Sequence, residues 1–158
     1  MNEGNSTLLA TGNDDLEILA EHRREMWIDI GSHSNDEIEE HVPSYKKWLE
    51  ENIAKGNAFC FKAVDEASQI IGSACVLFRN DVPGPGHTAT SVPLIFSVYV
   101  RNNCRRMGIG SALTKKCIDL CVEKGYTRIT LHASPFGLPI YKKMGFKPTS
   151  EMRLTIGK

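Results

Sequence analysis

The stretch Ser97-Val98-Tyr99-Val100-Arg101-Asn102-Asn103-Cys104-Arg105-Arg106-Met107-Gly108-Ile109-Gly110-Ser111-Ala112-Leu113 decides the reading of the chain. An apolar strand runs out at Val100, and a short polar loop leads to two glycines that open an amphipathic helix. Glycine has no Cβ, so backbone N–H groups there can approach a ligand closely. The first-turn amides of a helix lack internal acceptors, and the helix dipole adds positive potential at the same end. The combination suits a phosphate or pyrophosphate, and Arg101, Arg105 and Arg106 add charge within reach of it. Two better-known anion motifs do not fit. The dinucleotide fingerprint needs a third glycine where Leu113 stands, and the P-loop needs Lys-Ser/Thr where Ser111-Ala112 stand.

Outward from this stretch the chain reads as alternating elements. Residues 8–11 form a short apolar run, and Asn13-Asp14-Asp15 starts a helix in which Leu16, Leu19, Ala20, Arg23, Met26, Trp27 and Ile30 recur at helical spacing before Gly31 stops it. Ser34-Asn35-Asp36 opens a second helix, with Pro43 arguing for a break or kink. Residues 58–64 and 69–78 read as a hairpin, 80–91 as a loop, 92–100 as a strand and 109–124 as a helix closed by Gly125. Residues 127–133 read as a strand, 139–144 as a short helix and 152–156 as a last strand. The expected order is β-α-α-β-β-β-α-β-α-β. It describes one α/β (α+β) domain over residues 1–158, a mixed sheet flanked by helices.

Composition narrows the partners. The chain has 158 residues, 41% hydrophobic and 24% charged, which is ordinary globular composition. No apolar run approaches a membrane span, and the first fifteen residues lack the basic start and apolar core of a secretion signal. A cytoplasmic domain without a membrane partner is expected. Formal net charge is zero, yet residues 1–58 hold 13 acids against 5 bases and residues 101–158 hold 12 bases against 3 acids. Such a split suits an anion at one end and a cation at the other, or merely solvated helical faces. Without an aromatic-basic surface pattern, no nucleic-acid partner is expected. Five cysteines without a C-x-x-C pair argue against a disulfide framework. Cys117 and Cys121 fall on an apolar stripe and read as core thiols, so no metal is expected.

Here a family resemblance enters. Arg105-Arg106-Met107-Gly108-Ile109-Gly110 resembles the [RQ]-x-x-G-x-[GA] motif of the GNAT acyl-CoA N-acyltransferases. Ile140-Tyr141-Lys142-Lys143-Met144-Gly145-Phe146 is similar to that family's second signature, an apolar-Tyr-x-x-x-Gly-Phe ending. The two stand in the right order and separation, and the element order is the family's.

The resemblance implies acetyl-CoA as cosubstrate. Its pyrophosphate would lie on the backbone from Arg106 through Met107, Gly108, Ile109 and Gly110 to Ser111, with Arg105 nearby. Its pantetheine arm would pair with Val98, Tyr99 and Val100 like an added strand. Tyr141 matches the frequent general acid, since a phenol of pKa ~10 can protonate a leaving thiolate of pKa ~8.5; the other reading is that it packs beside Phe146.

The base stays open. Many relatives place a carboxylate on the strand before the glycine turn, and this strand has none. Ser97 could order a relaying water, and Glu25, Asp29, His33, His87 and His132 are further candidates. The acceptor side would hold Glu25, Trp27 and Asp29, with Glu21, Asp36, Glu37, Glu39 and Glu40 on an acidic rim suited to a cationic small amine. Alternatives are a protein or peptide acceptor and a non-catalytic acyl-CoA sensor. Dimers are common in that family, and the sequence leaves the oligomeric state open.

Overall fold

A computed structural model describes residues 5–157; residues 1–4 and 158, which the single-domain reading includes, lie outside the described residues. Five strands form one sheet in sequence order: β1 (Thr7–Ala10), β2 (Ala58–Val64), β3 (Ile70–Asn80), β4 (Ser91–Val100) and β5 (Thr130–Leu131). The first four pair antiparallel, and β5 joins β4 in parallel. Helices α1 (Leu16–Ile30) and α2 (Asn35–Ala54) follow β1, α3 (Ile109–Glu123) follows β4, and α4 (Leu138–Lys143) follows β5.

The sheet buries both faces, and strand alternation sorts the residues between them. On one face Ala58, Cys60 and Cys75 pack against Leu19 and Ala20 of α1 and Tyr45 and Leu49 of α2. On the other, Phe61, Ala63, Ala74, Val76 and Ile95 pack against Ile109, Leu113, Cys117 and Cys121 of α3. Gly31 ends α1 in the left-handed conformation, and the Ser34 side chain caps α2 by accepting from the Glu37 amide.

Four sequence expectations need correction. Pro43 does not break α2, which continues through it because Ile38 before it and Tyr45 and Leu49 after it are all buried. The strand expected over 127–133 contracts to two residues, the only ones in register with β4. Residues 152–156 form no strand. Met152, Leu154 and Ile156 are 94%, 85% and 89% exposed, so their alternation has no sheet edge to pack on. Finally, Cys60 and Cys75 are paired across β2 and β3 as a disulfide, whereas Cys104, Cys117 and Cys121 are free. Burial pushes the Cys117 thiol up to about 12 and the Cys121 thiol up to about 11, as befits core sulfurs. No helix among the described residues is long and apolar enough to cross a membrane.

Candidate active site

The site begins with an irregularity in β4. Cys75 faces Phe96 and Ser73 faces Tyr99, so Ala74 alone spans Ser97 and Val98. Ser97 takes a φ of +52°, which a residue with a Cβ adopts rarely and only when its surroundings hold it there. The bulge shifts the alternation by one. Phe96 and Ser97 both face α1 and α2, and Val98 and Val100 turn to the α3 face. Ser97 Oγ meets Tyr45 Oη at 2.9 Å and accepts from Arg23 Nη1 at 3.0 Å.

Immediately before the bulge, β5 stops. Leu94 and Ile95 pair with Thr130 and Leu131, but from Phe96 onward β4 has no parallel neighbour. Sheet twist and the missing partner open a gap between Val98–Val100 and the chain after Leu131. A cavity of about 810 Å³ lies at the start of this gap, beside Val98. Its walls are Arg23, Met26, Trp27 and Ile30 of α1, His41, Ser44, Tyr45 and Trp48 of α2, Phe96, Ser97 and Val98 of β4, and Leu131 to Pro135 after β5. Tyr141 and Arg153 complete it. Trp48 meets Phe96 edge-on at 5.5 Å and stacks with Tyr45 at 6.0 Å, giving an aromatic wall.

Tyr141 is brought to this cavity by α4. Its ring lies against Gly137, where a Cβ would come within 2.6 Å of Cε2, and meets Phe146 edge-on at 6.0 Å. Burial raises the phenol above its ordinary range, with the Cys117 sulfur adding to the effect, so the hydroxyl holds its proton.

The glycine turn lies beyond the end of β4. Arg106 and Gly108 both adopt left-handed φ, +64° and +77°, and a Cβ on Gly108 would meet nothing within 4 Å. The amides of Ile109, Gly110 and Ser111 open α3 without helical acceptors, whereas Ala112 donates to Gly108 O. Met107 and Arg106 are exposed on the same turn. Arg105 departs from the expectation: its Nε donates to Val100 O at 2.8 Å, and its far end pairs with Asp29. That guanidinium braces the turn against α1 before it can serve an anion.

The structure separates the three residues expected on the acceptor side. Trp27 lines the cavity, but Glu25 and Asp29 do not. Glu25 pairs with Arg24, which also holds Glu21 and Glu39, and Asp29 pairs with Arg105. Opposite charges on adjacent helical faces neutralise each other before facing a ligand. Of the base candidates, Ser97 and His132 line the cavity. His33 lies beside it on a smaller cavity of about 250 Å³, and His87 faces Asp81 at 3.5 Å, away from both.

Sequence reading passed over Arg23, His41, Tyr45 and Arg153. Arg23 did leave a signal, a charged residue on the apolar stripe of α1. His41 Nδ1 lies 2.5 Å from Ile38 O, which places a proton on Nδ1, and its Nε2 is buried without a partner. Among the described residues no three His, Cys, Asp or Glu side chains converge as a metal site would require.

This geometry has counterparts. The family model for the acetyltransferase (GNAT) domain matches residues 29–157. The chain belongs to the GNAT acetyltransferase family. It superposes on a GCN5-related N-acetyltransferase from Ralstonia eutropha with a TM-score of 0.90 at 26% identity, covering 96% of this chain and 99% of that one. An acetyltransferase structure with acetyl-CoA from Clostridium acetobutylicum matches at 0.86 and 24%, covering 96% of each chain. An aminoglycoside 6'-N-acetyltransferase from Acinetobacter haemolyticus shares the fold at 0.72 and 17%, covering 96% of this chain and 98% of that one. This GNAT chain is thus an acetyltransferase by family.

Proposed function

We propose that this chain transfers an acetyl group from acetyl-CoA to a primary amine by direct attack within one ternary complex. The observation that carries the reading is the open end of β4, which has no parallel neighbour from Phe96 onward. Val98 at that end lines the same cavity as Tyr141, and the exposed glycine turn follows beyond the end of the strand at Val100. In this reading the turn amides from Arg106 to Ser111 hold the pyrophosphate, with the open space at Gly108 giving the phosphate oxygens access. The open edge of β4 pairs with the pantetheine amides. Tyr141, protonated because it is buried, delivers a proton to the departing thiolate.

The acceptor ammonium, with a pKa near ~10, must shed its proton before it attacks. Ser97, His41 and His132 are the polar groups on the cavity wall that can pass it outward, directly or through water. A concave cavity with aromatic walls favours a small molecule over a protein segment.

Thiol release from acetyl-CoA, followed against a panel of small amines, amino acids and peptides, tests the activity. Turnover on no amine, with CoA binding intact, would support the sensor alternative. Tyr141→Phe should lower kcat by about 10²-fold while acetyl-CoA affinity changes little. An unchanged kcat would remove Tyr141 from proton delivery.

A further inference from the structure

We propose that the amine acceptor also carries an oxyanion, in the first instance a carboxylate, and that Arg23 is the residue that receives it, with Arg153 at the cavity mouth. The inference rests on the acetyl-transfer reading of the same cavity and names its acceptor class.

Arg23 is the inward member of a pair. Its neighbour Arg24 points outward and collects Glu21, Glu25 and Glu39. Arg23 turns into the cavity, with its guanidinium carbon 4.7 Å from the Tyr45 ring centre and 5.5 Å from that of Trp27. Nη1 donates to Ser97 Oγ at 3.0 Å, and Nε is buried with no partner. Among the described residues no carboxylate lies within ion-pair distance of it.

The contrast with other cations is chemical. Lys62, also withdrawn from solvent, has Asp15 at 2.8 Å, and Arg105 has Asp29. Burial of a charge without a counterion is unfavourable, and it lowers the pKa of Arg23 accordingly. Residues 1–58 hold 13 acids, yet none among the described residues forms an ion pair with Arg23. The missing partner is then supplied from outside.

The rest of the wall agrees. Its ionisable groups of basic type are Arg23, His41, His132 and Arg153, and no Asp or Glu lines it. Glu37 shares the smaller adjoining cavity with Arg23 but makes no ion pair with it, its carboxylate being engaged by the Ser34 amide and His33. A dication or polyamine would find aromatic faces here but no carboxylate for its second charge. An amino acid or similar short zwitterion with an apolar or aromatic body matches all three elements. The guanidinium takes its anion, the wall of Trp27, Trp48 and Phe96 takes its body, and the amine is left toward the open edge of β4. A planar guanidinium also favours the two parallel oxygens of a carboxylate.

The chain supplies its own reporter, because both of its tryptophans, Trp27 and Trp48, line this cavity. Tryptophan fluorescence of the full chain is titrated with N-acetylphenylalanine, its neutral amide, and phenyl phosphate. The carboxylate is expected to bind at least tenfold more tightly than the amide. Arg23→Gln should abolish that preference, and Arg23→Lys should keep part of it. Tighter binding of phenyl phosphate would support the oxyanion site and assign it to phosphate-bearing amines. Equal binding of acid and amide, or saturable binding of neither, overturns the proposal.

In turnover, Arg23→Gln should raise KM for phenylalanine at least tenfold and leave KM for phenethylamine unchanged. An equal loss of kcat on both would place Arg23 at the reacting carbonyl and overturn the acceptor role. Calorimetric titration with acetyl-CoA separates the two readings, since it fails only if the acetyl-transfer reading itself fails.

Discussion

His22 shows how one buried group sets a pH limit on the fold. Its ring is 2% exposed, Nδ1 meets Ser73 Oγ at 2.7 Å, and the ring lies 4.8 Å from that of Tyr99. Burial first, and the positive charge of Arg101 second, pull its pKa down from 6.5 to about 4. The unfolded chain therefore binds more protons than the folded one between those values. Stability is fully present above pH 6.5 and falls as pH drops toward 4, by at most about 3 kcal/mol. Urea midpoints at pH 7 and pH 4.5 should differ less in His22→Asn than in the parent chain. An identical pH dependence would show that His22 is not the group responsible. Arg23, one residue on, is the opposite case: a half-buried base whose charge persists and with which no carboxylate among the described residues pairs.

At the scale of elements, the glycine turn and the β4 bulge perform complementary tasks. The bulge at Ser97 carries the strained φ that turns Phe96 and Ser97 to one face. The turn carries the left-handed residues that expose α3's first amides. Gly108→Ala should cost about 1 kcal/mol of backbone strain and little else, because the added Cβ meets open space. Gly108→Glu adds a carboxylate where the pyrophosphate is proposed to lie. CoA affinity by calorimetry should fall at least about tenfold, equivalent to about 1.4 kcal/mol, with the thermal transition retained. Normal affinity in the glutamate variant would remove the turn from phosphate binding.

Over the whole molecule, the zero net charge conceals opposite halves, and the structure divides them further. Part of the acidic first third is spent internally, on Arg24, Lys46, Lys62 and Arg105. Of the basic last third, Arg106 stays exposed on the glycine turn. If that face steers a polyanionic cosubstrate, the acetyl-CoA association rate should drop several-fold as ionic strength rises from about 0.01 M to about 1 M. Over that range screening shortens from about 30 Å to about 3 Å. Stopped-flow tryptophan fluorescence measures it, and a flat profile would assign these bases to solvation.

What the sequence determined by itself is what local chemistry dictates. Apolar periodicity marked α1, α2 and α3. The Gly108 and Gly110 spacing marked the turn, and the apolar-Tyr-x-x-x-Gly-Phe signature marked Tyr141. Each depends on residues within a few positions of one another. The tertiary structure alone decided whatever depends on a distant neighbour. Residues 152–156 alternate like a strand yet pair with nothing, because a strand exists only against an edge. Glu25 and Asp29 read in the sequence as free acids of a binding rim, whereas in the fold they pair with Arg24 and Arg105. In the sequence Arg23 is one more helical position; in the fold its side chain lines the cavity, and no carboxylate among the described residues pairs with it. The sign of a charge is written in the sequence, but whether that charge is already neutralised depends on residues far along the chain.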